Sequence, residues 1–163
     1  MDIDRIDRKI LDVLQREGRI SITELAERIG LSTSPCSERV RRLERAGVIR
    51  GYSATVDPAA LGRPLLVFVQ LTLSSNSGEV FEQMRRELLH EPRVLECHLV
   101  SGAFDYLIKA RLSAMSEYRD LLAQILRKVP VPAQSNSYVV MEEIKESLTL
   151  PVEPAAPLPL RRP

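Results

Sequence analysis

Residues 31–49, LSTSPCSERVRRLERAGVI, decide how this chain is read. The stretch opens on a polar turn, runs into an arginine-rich segment and closes on Gly47 and the apolar pair Val48-Ile49. Cys36, Val40 and Leu43 fall at helical spacing and predict one packing face. Thr33, Ser34, Ser37, Glu38, Arg41 and Arg42 then face outward, with Arg39 and Arg45 at the margins. Ser32 suits the N-cap. So does Ser34, which places Pro35 at the first helical position, where a missing N–H costs nothing. Arginine pairs bidentately with guanine and with phosphate, so this face is suited to an anionic partner.

Upstream, Ile3, Ile6, Ile10, Val13 and Leu14 recur at three- and four-residue steps and predict an amphipathic helix over residues 4–17. Asp2 and Asp4 suit its positive N-terminal end, and Gly18 suits its stop. Ser21-Ile22-Thr23-Glu24 is a capping box. It starts a short helix with Ile22, Leu25, Ala26 and Ile29 on one face and Gly30 at its end. Two helices joined by a short glycine-containing turn match helix-turn-helix geometry. There the start of the second helix reads bases in the major groove, and flanking groups hold phosphates, a task expected of Arg42, Arg45 and Arg50. Residues 50–56, RGYSATV, are β-branched and aromatic and predict the strand of a wing. A single helical turn at 58–61 and a hinge at Gly62-Arg63-Pro64 follow.

Further on, the residues 65–73 form an apolar, β-branched run, hence a strand. Val80, Phe81, Met84 and Leu88 mark a helix over 79–90, ended by Glu91-Pro92-Arg93. Strands are expected at 94–101 and 106–112. Ser116 suits the cap of a helix carrying Tyr118, Leu121, Leu122, Ile125, Leu126 and Val129, and Pro130 and Pro132 stop it. A last strand is expected at 138–144. The order βαββαβ is that of a ferredoxin-like sandwich, with two helices on one face of an antiparallel sheet. Leu66, Phe68 and Leu107 put apolar groups on the other face, so that face is expected to pack on a second copy. Residues 150–163, LPVEPAAPLPLRRP, are proline-rich and expected to be a disordered tail.

The composition bounds the rest. The chain has 163 residues, 44% hydrophobic and 28% charged, an ordinary globular balance that allows one or two domains. Net charge is only +1, so the five arginines against one acid between residues 39 and 50 form a local basic stripe. The longest apolar run, residues 64–69, is far too short to span a bilayer, and no secretory signal is expected. Cys36 and Cys97 have no metal-like spacing and read as reduced thiols of a cytoplasmic protein. His90 and His98 are not spaced as ligands, and there is no phosphate-cradling glycine loop or nucleophile elbow. No catalytic residue, metal site or enzyme activity is expected.

Four stretches carry a resemblance that spans both halves: LDVLQREGRISITELAERIGLSTSPCSERVRRLERAGVIRGYSA, LLVFVQLTL, VLECHLVSGAFDYLIKARL and YVVMEEIKES. They resemble the Lrp/AsnC, or feast/famine, family of transcriptional regulators, closer to the leucine-responsive branch than to the asparagine-type one. The resemblance implies an α+β protein. An N-terminal winged helix-turn-helix, residues 1–62, binds double-stranded DNA through Thr33, Ser34, Ser37, Glu38, Arg39, Arg41, Arg42, Arg45 and Arg50. A C-terminal ferredoxin-like βαββαβ domain, residues 63–149, senses a small amino acid and oligomerises. It implies a homodimer, with dimers assembling into a ring such as a tetramer of dimers, in a bacterial cytoplasm at the nucleoid. Its response loop corresponds to Ser101, Gly102, Ala103, Phe104, Asp105 and Tyr106, and Ser135 and Ser137 complete the pocket. Gly102 lets the backbone approach a ligand, exposed amides suit an α-carboxylate, and Asp105 suits an α-ammonium. Leucine or another aliphatic amino acid is the expected effector; no other cofactor is. Ala103 and the segment 129–133, VPVPA, depart from the family's usual residues near that pocket. The alternative is an architectural DNA-wrapping protein with little effector response.

Overall fold

The structure, a computed structural model of the chain, describes residues 2–75 and 77–152. The expected tail at 150–163 therefore lies, beyond residue 152, outside the described residues. Two compact units form: the described residues of 1–55 and 145–163 make one, and Val56–Ile144 the other. No helix among the described residues is long and apolar enough to cross a membrane.

The first unit holds three helices, α1 Arg5–Arg16, α2 Ile22–Ile29 and α3 Thr33–Arg45. α1 starts in a reciprocal cap. Asp4 Oδ1 accepts from the Ile6 and Asp7 amides, both at 2.8 Å, and Asp7 Oδ2 accepts from the Asp4 amide at 3.2 Å. α2 repeats the device with Ser21 and Glu24. Gly30 ends α2 at φ +76°, a left-handed conformation that favours glycine. α3 is capped at Ser32, without a side-chain bond to the helix amides. Ile10, Leu25, Ala26, Ile29, Cys36, Val40 and Leu43 form the core. Each large side chain there contributes about 1.5–3 kcal/mol by leaving water. The returning C-terminal segment is tied to α1 by a two-way amide pair. Leu150 N donates to Gln15 Oε1 at 2.7 Å, and Gln15 Nε2 donates to Leu150 O at 3.2 Å.

The expected wing strand at 50–56 does not form. The segment is exposed throughout and pairs with no strand. β-branched content favours an extended backbone, but without a partner ladder its polar groups stay with water. Tyr52 still anchors it to the end of α3, donating to Glu44 Oε1 at 3.0 Å. Partial burial, then the Glu44 carboxylate, push the Tyr52 hydroxyl up to about 12.

The second unit contains β1 Leu65–Leu73, α4 Gly78–Leu89, β2 Val94–Leu99, β3 Tyr106–Leu112, α5 Met115–Lys128 and β4 Ala133–Val139. The strands form one antiparallel sheet in the order β2-β3-β1-β4. Val67, Val69, Leu71 and Leu73 of β1 and Tyr106, Ile108, Ala110 and Leu112 of β3 meet Val80, Met84 and Leu88 of α4 and Tyr118, Leu121 and Ile125 of α5. The other face carries Leu66, Phe68, Gln70 and Thr72 of β1, Leu107, Lys109 and Arg111 of β3, and Tyr138 of β4. Arg111, 8% exposed, pairs there with Glu143.

β4, β2 and α5 differ from the expected bounds by two residues or more. β4 begins at Ala133, not 138, because Ser74 N bonds Pro132 O at 2.9 Å and fixes Leu73 opposite Ala133. The apolar residues beyond it run on without a strand, with Met141 and Ile144 almost fully exposed. β2 ends at Leu99, two residues early, as the chain enters the loop to β3. α5 is capped at Ala114, not Ser116. Glu117 Oε2 instead reaches back to the Ser113 amide at 2.7 Å and hydroxyl at 2.6 Å, which draws the helix start forward. Those bonds, with Arg63 nearby, hold the Glu117 carboxyl at about 2.

Candidate nucleic-acid interface and effector loop

α3 presents its outer face because Cys36, Val40 and Leu43 are committed to the core. Burial pushes the Cys36 thiol up, as for an inert core residue. Thr33, Ser34, Glu38, Arg41, Arg42, Arg45 and Arg50 are exposed, and Ser37 and Arg39 half-buried. The arginines divide into three kinds. Arg41 and Arg50 make no ion pair among the described residues, so their donors are free for a partner. Arg45 pairs with Glu38 at 3.0 Å, with both side chains about two-thirds exposed, a contact water and salt readily compete with. Arg39 and Arg42 turn back toward α1 and share Asp7.

Asp7 is the residue the sequence reading missed. It is fully buried, yet carries a carboxylate on the core side of α1. Arg39 Nη1 reaches Asp7 Oδ1 at 2.9 Å and Asp4 Oδ2 at 2.6 Å, and Arg42 Nη2 reaches Asp7 Oδ2 at 2.6 Å. The Asp7 amide, then Arg39, hold the Asp4 carboxyl below its ordinary range; Asp4 and then Asp7 hold the Arg39 guanidinium above its own. A signal existed: Asp7 stands three residues before Ile10 and four after Ile3, on the apolar stripe itself.

In the second unit the loop from β2 to β3 sits beside the end of β1. Ser101, Gly102 and Ala103 are exposed, and Phe104 and Asp105 half-buried. Gly102 is at φ +150°, where a side chain is strained, and nothing lies within 4 Å of the position of an added Cβ. Its backbone is therefore open to close approach. Asp105 is already employed in the fold. Its amide donates to Leu71 O at 2.9 Å, its carbonyl accepts from Val100 N at 2.9 Å, and its Oδ2 accepts from Leu73 N at 2.7 Å. Tyr106 is a core residue, edge-on to Phe81 with ring centroids 6.0 Å apart. Leu71 pairs with Tyr106 on one side and Ser135 on the other, so the loop and Ser135 flank the same end of β1. Ser137 lies further along β4, its hydroxyl bonded to Tyr118. The expected site residues thus gather at one end of the sheet, except Ser137, which lies further along β4; Tyr106, at that end, is buried in the core. His98 lies opposite Leu107 on the face away from the helices, 3.5 Å from Glu96.

Known proteins match both units. A winged helix-turn-helix DNA-binding family model covers residues 3–50, and an Lrp/AsnC ligand-binding domain model covers residues 66–150. The leucine-responsive regulatory protein of Escherichia coli strain K12 is 51% identical over 152 residues, 93% of each chain. Among solved structures, an AsnC family transcriptional regulator from Agrobacterium tumefaciens superposes with a TM-score of 0.86 at 33% identity, over 91% of this chain and 96% of that one. A Neisseria meningitidis transcriptional regulator in complex with L-methionine also reaches a TM-score of 0.86 at 33% identity, over 92% and 97%. The ligand-binding match favours an effector-responsive protein over the architectural alternative. With a DNA-binding unit and a ligand-binding unit in the order its sequence resemblance implies, the chain belongs to the Lrp/AsnC family of transcriptional regulators, DNA-binding proteins modulated by an amino acid.

Proposed function

We propose that α3 enters the major groove as the reading helix of a homodimeric regulator, and that an aliphatic amino acid, leucine or methionine, binds at residues 101–105 and Ser135 to alter its assembly. The free donors of Arg41 and Arg50 on the exposed side of α3 and just beyond it carry this reading. Thr33, Ser34, Ser37, Glu38 and Arg41 face bases, while Arg42, Arg45 and Arg50 meet phosphates. The effector choice draws on the leucine-responsive relatives and on the neighbour solved with L-methionine. Chemistry supports it too: open amides beside Gly102 suit a carboxylate, and the Asp105 oxygen not bonded to Leu73 suits an ammonium.

The sheet face away from the helices is the dimer surface in this reading. Phe68 and Leu107 are only half-buried there, and Tyr138 is 52% exposed. A second sheet removes that apolar area from water, and further dimers close a ring such as a tetramer of dimers. The protein then acts in the cytoplasm, at the nucleoid. Selection of bound duplexes from a random library, repeated with each of the natural amino acids, tests the whole reading, with light scattering run in parallel. Phe68→Asp should shift the mass to that of a monomer. No enriched sequence, or no amino acid that changes affinity or mass, would sink it.

A further inference from the structure

We infer that Asp7 is a positioning residue for DNA binding: it clamps Arg39 and Arg42 of α3 against α1 and holds the outer edge of Arg42 where a phosphate oxygen is met. The inference rests on the reading of α3 as the DNA-facing helix. Asp7 is fully buried, and its two oxygens accept from Arg39, Arg42 and the Asp4 amide, so its acceptor capacity is directed almost wholly at α3 and the α1 cap. The two arginines are not equivalent. Arg39 is held by two carboxylates, and its side chain is 26% exposed. Arg42 is held by one, through a single nitrogen, and is 45% exposed. A guanidinium carries five N–H donors in a fixed fork. Arg39 is therefore a strut, whereas Arg42 keeps donors pointing away from Asp7 on its exposed edge.

Two consequences distinguish this arrangement from a free arginine. Asp4 and Asp7 balance Arg39 and Arg42 in charge, so the cluster adds little to long-range attraction. What Arg42 offers is short-range and directional. Its rotamer is also fixed before DNA arrives, so less side-chain freedom is lost on binding. Arg41 and Arg50, without ion-pair partners among the described residues, supply the field instead.

The two possible roles of Asp7 predict opposite signs. If Asp7 merely neutralises arginine, Asp7→Asn removes a negative charge and tightens DNA binding. If it positions Arg42, the same change weakens binding. The test uses the full chain and a random-sequence duplex, with affinity measured between about 50 and 200 mM salt. Asp7→Asn and Arg42→Gln should each reduce the slope of log affinity against log salt by about 0.9, the value of one phosphate contact. The double variant should lose no more than either single one, and Arg39→Gln should leave the slope unchanged. Asp7→Asn binding as tightly as the parent or tighter, at the parent slope, overturns the inference. Should Asp7→Asn fail to fold by circular dichroism, Arg42→Gln decides, and an unchanged slope there is equally fatal. If Arg41→Ala weakens binding while Arg42→Gln does nothing, only this inference falls. If neither matters, the reading of α3 falls with it.

Discussion

The two units treat their polar groups in opposite ways. On α3 the donors of Arg41 face outward, and a buried carboxylate holds Arg39 and Arg42 against α1. In the β2–β3 loop the acid is already used by the sheet: Asp105 secures the end of β1, and on β4 Ser137 is bonded to Tyr118. One surface is finished within a single chain. The other offers little more than an open backbone at Gly102 and the oxygen of Asp105 that is not bonded to Leu73. In the proposed reading, the DNA-facing surface is ready before its partner arrives, whereas the sensing surface is completed by the signal and a neighbouring subunit.

That contrast requires the units to be separable in stability, which is the most severe demand on it. Ile10→Ala should cost about 2–5 kcal/mol, since Ile10 is fully buried in the small helical core. Hydrogen exchange should then show α1, α2 and α3 losing protection while the four strands keep theirs. Joint loss would mean that the chain is one cooperative body. Next comes Asp105. Asp105→Ala leaves the Leu73 amide without its acceptor and should lower stability by about 1–3 kcal/mol in denaturant titration. Asp105→Asn keeps an acceptor and should spare most of that stability. If it nevertheless abolishes the amino-acid response, the carboxylate has a second role at the effector site.

On the DNA side, Arg41→Ala should cost about 1–3 kcal/mol at one base position and relax specificity there. Equal weakening on every sequence, measured by competition with a random duplex, would move Arg41 to the phosphates. The smallest effect concerns acid. The folded Glu117 carboxyl lies at about 2, below its ordinary 4.5, so its contribution is complete above 4.5 and is lost as pH falls toward 2. Glu117→Gln should flatten that part of the stability profile, and an unaltered profile would remove Glu117 from the acid response.

What the sequence revealed follows the same division. α1, α2, α3 and the βαββαβ order were readable because burial there is periodic, as in Cys36, Val40 and Leu43 or Val67, Val69 and Leu71. β4 was placed late because it is a polar edge strand, AQSNSYV, whose position is set by pairing with β1 and not by its own hydrophobicity. The wing segment had strand-like residues and no partner, a fact of tertiary structure. Asp7 lay on a visible stripe, but only the meeting of α1 with α3 shows why an acid belongs there. The bond of Asp105 to Leu73 was not legible, because it depends on a strand register set between distant segments.

The two-way bond between Gln15 and Leu150 places the chain in time. The helices of the first unit are built from neighbours in sequence and can close early, while β1 at the sheet's centre must wait for β3 and then β4. Leu150 leaves the ribosome after all of them. Its pairing with α1 is therefore available only to a molecule whose translation has run past β4.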